Sequence, residues 1–197
     1  KPFLAYVQYY ITKFFGTDPM HCETYPHIVN EKHFQRLKGL MQSGNICIGG
    51  KLEEASLCIE PTVFENVSFD DAIMQEEIFG PLLPVIGYET LEEALSYIQQ
   101  QEKPLALYVF TRRKAIAQQV MSCCSFGGGC INDTIIHLAT SQMGFGGVGQ
   151  SGMGSYHGYD SFRTFSHFRS IVQKSNRMDL PMRYQPYTKG KQHIVRW

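Results

Sequence analysis

The chain has 197 residues, enough to bury most of a hydrophobic core as one domain or one and a half. Its 18 Lys and Arg balance 18 Asp and Glu, so it has no net field and nothing in its charge asks for nucleic acid. No apolar run approaches the roughly 20 residues that span a bilayer, and Gln8, Thr12 and Lys13 interrupt the first apolar segment, so neither a signal peptide nor a membrane anchor is expected.

In chain order, Leu4, Val7, Ile11 and Phe14, with Phe15 beside them, recur at helical spacing behind Pro2. Residues 2–15 are therefore predicted as an amphipathic helix closed by Gly16. The chain begins without Met, and so apolar a helix calls for a strand or partner to lie on. Asn30 is expected to cap a second helix bearing Phe34, Leu37, Leu40 and Met41, with Gly44 as its stop. Ile46 to Ile48 and Leu57 to Ile59 are predicted strands on either side of a Gly-Gly-Lys turn, and Leu82 to Ile86 a buried strand. Thr90 and Glu93 fit a capping box, with Leu91, Ala94, Leu95 and Ile98 as the stripe of the helix that follows. A strand at Leu105 to Phe110, a helix over 112–122 and a strand from Gly129 to Asn132 complete an alternation that predicts an α/β fold with a largely parallel sheet and flanking helices.

From Gly144 the composition changes. Gly144-Phe145-Gly146-Gly147-Val148-Gly149-Gln150-Ser151-Gly152-Met153-Gly154 satisfies G-x-G-x-x-G twice. A dinucleotide fingerprint also needs a preceding strand, a following helix and an acid about 20 residues on, and no Asp or Glu lies between Asp160 and Asp179. The segment is read instead as a loop whose glycines permit close backbone approach. Ser161 to Phe165 is a predicted short helix, Ser166 to Val172 an exposed strand, and the tail from Asn176, with Pro181 and Pro186, an extended arm.

The six cysteines (Cys22, Cys47, Cys58, Cys123, Cys124, Cys130) lack the context of a disulfide scaffold, which points to a reducing, cytoplasmic setting. No CxxC or HxxxH spacing suggests a metal site, and none is expected.

Three separated motifs in order now carry a resemblance. These are Glu76-Glu77-Ile78-Phe79-Gly80-Pro81, Gly128-Gly129-Cys130-Ile131-Asn132-Asp133, and Phe145 through Gly154 with Ser155-Tyr156-His157-Gly158 added. Together they resemble the C-terminal catalytic-domain portion of an aldehyde dehydrogenase, and the last, with Ser161 to His167, is similar to the class 3, fatty or aromatic aldehyde branch. The resemblance implies residues 1–165 as a partial catalytic domain and 166–197 as an oligomerisation strand and tail, giving a homo-oligomer, expected as a dimer.

It further implies NAD or NADP as cofactor and an aldehyde as substrate. Glu77 would accept hydrogen bonds from the nicotinamide ribose hydroxyls, and Phe79 would pack by the nicotinamide. From the residues alone, Glu76 and Glu77 read as solvated turn residues and Phe79 as core; the resemblance reverses this for Glu77 and Phe79 and leaves Glu76 a turn residue. Phe145 and His157 would line the aldehyde's way in, with Ile135 and Leu138 as apolar walls, although His157 reads equally as a structural histidine. Asn132 resembles a family residue near the active-site floor, although a buried amide bonding backbone is the safer reading; His137 and His167 have no evident partner. No family motif carrying the nucleophilic Cys, the oxyanion-holding Asn or the water-activating Glu is present. No catalytic residue is therefore assigned, all six cysteines are read as structural, and the chain is expected to be inactive alone. The alternative is a non-catalytic self-association or binding module.

Overall fold

In the computed structural model, residues 2–186 and 188–195 are described. They form two compact units, Lys1–Ala94 and Leu95–Trp197, a division by packing that does not coincide with the functional boundary expected at 165/166.

The first unit opens with helix α1 (Pro2–Phe15), which Gly16 ends at φ 78° by donating its N–H to the Thr12 carbonyl at 2.9 Å. Leu4, Val7, Ile11 and Phe15 are half-buried, while Phe3, Tyr6, Tyr10 and Phe14 are exposed. Helix α2 (Glu31–Leu40) begins as expected, with the Asn30 side chain accepting the His33 N–H at 2.9 Å. It ends at Leu40, with Met41 as its cap, earlier than the expected stop at Gly44; Gly44, at φ 55°, turns the chain into the sheet instead. The strands are β1 (Asn45–Ile48), β2 (Leu52–Glu53), β3 (Cys58–Ile59), β4 (Thr62–Glu65) and β5 (Leu82–Pro84). β4 is central, antiparallel to β1 and parallel to β5, and β2 pairs with β3 antiparallel. Phe34, Leu37 and Leu40 of α2 reach one core with Ile59, Phe64 and Leu82. The Tyr25 hydroxyl is buried with them and donates to the Ile59 carbonyl at 2.6 Å, and burial holds its ionisation well above the usual phenol range.

The second unit contains most of α3 (Leu91–Gln100), then β6 (Ala106–Val109), α4 (Lys114–Cys123), β7 (Gly128–Ile131), α5 (Gly158–Thr164) and α6 (Lys189–Val195). The box before α3 is displaced by one residue. Thr90 Oγ1 accepts the Glu93 N–H at 3.2 Å, but Glu93 reaches back to the N–H of Glu89 rather than Thr90. β6, α4 and β7 form a crossover unit whose strands pair in parallel, Tyr108 opposite Cys130. The α/β class thus holds, with parallel pairs β4–β5 and β6–β7, but the strands form three small sheets rather than one.

Two expected features of the C-terminal part differ. Ser166 to Val172 has no ladder partner among the described residues, and residues 167–172 are exposed, since alternation alone makes no strand without a neighbour to bond. The tail is not simply extended. A 3-10 turn at Pro181–Arg183 and helix α6 follow, joined by Lys191 Nζ donating to the Tyr184 carbonyl at 3.0 Å, while Asp179 takes Lys174 Nζ at 2.5 Å and the Tyr184 hydroxyl at 2.6 Å. The lysine beside it holds the Asp179 carboxyl below its usual range.

Candidate functional site

In the first unit the Glu76-to-Pro81 segment lies against α2, and Arg36 of that helix fastens it. One guanidinium nitrogen donates to Glu76 Oε1 at 2.7 Å and the other to the Ile78 carbonyl. Gly80 lets the chain lie on Leu37, whose methyl carbons stand 2.6 Å from where a Cβ would be. Glu76 is thus tied to Arg36, whereas Glu77 is exposed and has no hydrogen bond or ion pair among the described residues. Phe79 is 77% exposed, not core. At φ 48° it occupies backbone space that bulky residues seldom enter. Its ring, with Gly80 and Pro81, walls an apolar depression of about 680 Å³ whose other side is residues 25–29 and His33. His27 there donates its ring N–H to the Ser56 carbonyl at 2.7 Å.

In the second unit, Phe145 and Tyr156 exchange backbone hydrogen bonds at 2.8 and 3.0 Å. That bridge sets the Phe145 ring 5.9 Å from the His157 ring and nearly parallel to it. His157 sits at φ 88°, and its N–H donates to Ser161 Oγ at 2.7 Å, just ahead of α5. Ile135, at φ 61° and 60% exposed, and the half-buried Leu138 flank and end one 3-10 turn. Phe145, His157, Ile135 and Leu138 therefore all belong to this unit, as Glu77 and Phe79 belong to the other.

Among the described residues six that are not glycine have positive φ, and Phe79, Ile135 and His157 are three of them, with Asn132 a fourth. A β-branched residue such as Ile135 in that region stores strain, which concentrates where a fold must hold a side chain out for use. Asn132 bonds backbone, as one reading had it, though it is exposed: its Oδ1 accepts the Thr111 N–H at 2.7 Å and its Nδ2 donates to the Thr111 carbonyl at 3.0 Å. The glycine-rich loop folds on itself. A Cβ at Gly146 would strike the Gly154 carbonyl, so close approach within the chain accounts for glycine there.

Sequence reasoning missed two residues, Arg36 and His137. Arg36 lies 40 positions from Glu76, beyond any local pattern. His137, which had no evident partner, sits with Nδ1 3.6 Å from Cys130 Sγ.

All six cysteines are free. Burial pushes the thiols of Cys47, Cys58 and Cys124 up, whereas the Thr24 hydroxyl, 3.2 Å from Cys22 Sγ, and the Thr24 and Tyr25 N–H groups draw the Cys22 thiol down. Lowered from the ordinary thiol range, Cys22 then holds the largest thiolate fraction of these four and is expected to be alkylated before the other three by iodoacetamide at neutral pH. Its lead should vanish as pH rises through that range. Peptide mass spectrometry after brief labelling checks this; equal labelling of Cys22 and the exposed Cys47 at neutral pH would show the hydrogen bonds to be ineffective. No group of three His, Cys, Asp or Glu side chains placed to hold a metal ion occurs among the described residues.

The α/β fold and its motifs define a class of protein that comparison with known proteins identifies. Residues 3–171 match the sequence model of the aldehyde dehydrogenase family, and the chain belongs to that family. Among its relatives is the 4,4'-diaponeurosporen-aldehyde dehydrogenase of Staphylococcus aureus, 48% identical over 92% of this chain and 40% of that protein. Human aldehyde dehydrogenase family 3 member B1 is 43% identical over 93% of the chain and 40% of its own length. A solved structure of the substrate-bound state of Staphylococcus aureus AldH superposes with a TM-score of 0.86 and 44% identity, covering 99% of this chain and 43% of that one. The chain thus spans about 40% of the length of the curated relatives it matches.

Proposed function

We propose that this chain is the C-terminal catalytic-domain portion of an NAD(P)-dependent aldehyde dehydrogenase that oxidises aldehydes to carboxylic acids. The observation that carries the reading is the division of labour between two adjacent carboxylates: Glu76 is occupied by Arg36, and Glu77 is exposed with both oxygens open. Two oxygens on one carboxylate suit two neighbouring ribose hydroxyls, and the exposed Phe79 ring beside an apolar depression suits the flat face of a nicotinamide. The cofactor, when bound, accepts a hydride; Glu77 and Phe79 orient the ring for that transfer. Ile135, Leu138, Phe145 and His157 supply apolar and aromatic contact for a medium-chain or aromatic aldehyde. No motif for the nucleophilic cysteine occurs here, so the chemistry requires groups from outside the chain.

The segment Ser166 to Val172, exposed over 167–172, supports a role in pairing with a second copy, and with it a homodimer. Six free thiols support a reducing, cytoplasmic location. Among the described residues no helix is long and apolar enough to cross a membrane.

The test is direct. The chain alone, given an aromatic aldehyde with NAD or NADP, is expected to form no more than trace reduced cofactor. Joined behind the preceding portion of a full-length relative, it should form it readily. Turnover by the chain alone overturns the claim of inactivity, and silence of the joined protein overturns the enzyme reading. The exposed aromatic face of α1 and the 166–172 segment, which has no strand partner among the described residues, favour one second reading, a self-association or binding module. Size-exclusion chromatography with and without a full-length relative separates the two, since a module binds a foreign partner and a catalytic portion only itself or its relative.

A further inference from the structure

We propose that His137 is a positioning residue for the aldehyde wall: seated on the β6–β7 sheet, it holds Phe145, and through Phe145 the His157 ring, at a fixed pose. The inference rests on the reading that Phe145 and His157 contact the aldehyde.

The seat comes from paired strands. Tyr108 on β6 and Cys130 on β7 are direct neighbours in the parallel ladder, so their side chains share one face of a stiff sheet. The imidazole lies on that face. Its Nδ1 is 3.6 Å from Cys130 Sγ, its ring meets the Tyr108 ring edge-on at 5.8 Å, and a Cβ on Gly128 would come within 2.9 Å of its Cδ2. A bare glycine beneath and an aromatic ring beside it form a slot fitted to a flat side chain. The imidazole also meets the Phe145 ring, tilted, at 5.7 Å, and Phe145 in turn stacks on His157.

Packing alone does not account for a histidine here. Its Nε2 is buried with no hydrogen-bond partner among the described residues, an unfavourable state that a phenyl ring of similar size would avoid. What the imidazole adds is the directional contact with the Cys130 thiol, which fixes the ring's rotation. A phenyl group in the slot could turn about its own axis; the imidazole is held, and it presents a defined surface to Phe145.

Three variants separate these contributions: His137→Ala removes the ring, while His137→Phe keeps the ring and Cys130→Ala keeps the histidine, each losing the directional contact. In an active enzyme containing this chain, His137→Ala is expected to raise KM for an aromatic aldehyde about tenfold with kcat within about twofold, from the size of a lost aromatic contact. His137→Phe and Cys130→Ala should each raise it about threefold, and the double variant no further than either, because both break one interaction. In the chain by itself, nuclear Overhauser contacts between the Phe145 and His157 rings should weaken in His137→Ala and partly return in His137→Phe. Unchanged KM, an equal fall in kcat, or ring contacts that persist in His137→Ala overturns the proposal. If the unsubstituted enzyme oxidises no aldehyde, the functional reading fails on its own account, and the ring contacts alone decide whether His137 positions Phe145.

Discussion

Replacing Glu77 with glutamine is expected to raise the KM for NAD(P) about ten- to a hundredfold in an active enzyme containing this chain. That is the range set by losing charge-assisted hydrogen bonds to two hydroxyls. The fold should be untouched, because Glu77 bonds to nothing in the chain among the described residues and lies in solvent. Glu76→Gln is the control. Its partner Arg36 keeps its bond to the Ile78 carbonyl, and the Glu76 side chain is 49% exposed, so the ion pair contributes no more than about 1 kcal/mol to stability. Its effect on KM should stay within about threefold. If the two variants raise KM equally, the assignment of the ribose contact to Glu77 is wrong and the motif acts through its fastening to α2. Steady-state kinetics with cofactor varied at saturating aldehyde reads both.

That contrast also marks where the sequence could be read and where it could not. Two adjacent glutamates are indistinguishable in a string, and the resemblance alone favoured the second. The structure separates them through Arg36, whose contact is 40 residues away in sequence and leaves no periodic trace. Local signals fared better. The Asn30 cap, the Leu4, Val7 and Ile11 stripe on α1 (though not the exposed Phe14) and the strand–helix–strand order of β6, α4 and β7 each depend on neighbours within a turn or a strand, and were legible. Strand β4 was not, although it is the centre of its sheet. Thr62, Val63 and Phe64 are all buried, so the four-residue segment shows no alternation. Ser166 to Val172 erred in the other direction, alternating well yet finding no partner among the described residues. In the tail, Pro181 and Pro186 suggested an extended arm, but both precede α6 and neither interrupts it.

The candidate site follows the same rule. Phe79, Ile135 and His157 could be named from motif resemblance, yet nothing in their residue types announces positive φ; for an isoleucine the sequence argues against it. Strain of this kind is imposed by surrounding packing and becomes visible only when backbone and neighbours are seen together. His137 was unreadable for a related reason: its seat requires the register of β6 against β7, which puts Tyr108 beside Cys130.

The same register makes Gly129→Ala the substitution with the largest expected effect on folding. Gly129 stands opposite Leu107, and a Cβ there would overlap the Leu107 carbonyl oxygen, a backbone atom with no rotamer to retreat into. Relief requires the two strands to part, so the loss is expected at the top of the overpacking range, about 3 kcal/mol or more. Urea unfolding followed by aromatic circular dichroism should show a lower midpoint for the second unit, with the seat of His137 lost alongside it. A second glycine supplies the contrast. Gly190 lies within α6 with no atom within 4 Å of a built Cβ, so Gly190→Ala is expected to be neutral or to stabilise that helix by about 0.5–1 kcal/mol. If Gly129→Ala unfolds at the midpoint of the unsubstituted chain, Leu107 and Gly129 are not neighbours. The β6–β7 register, and with it the pairing of Tyr108 and Cys130 beneath His137, would then have to be abandoned.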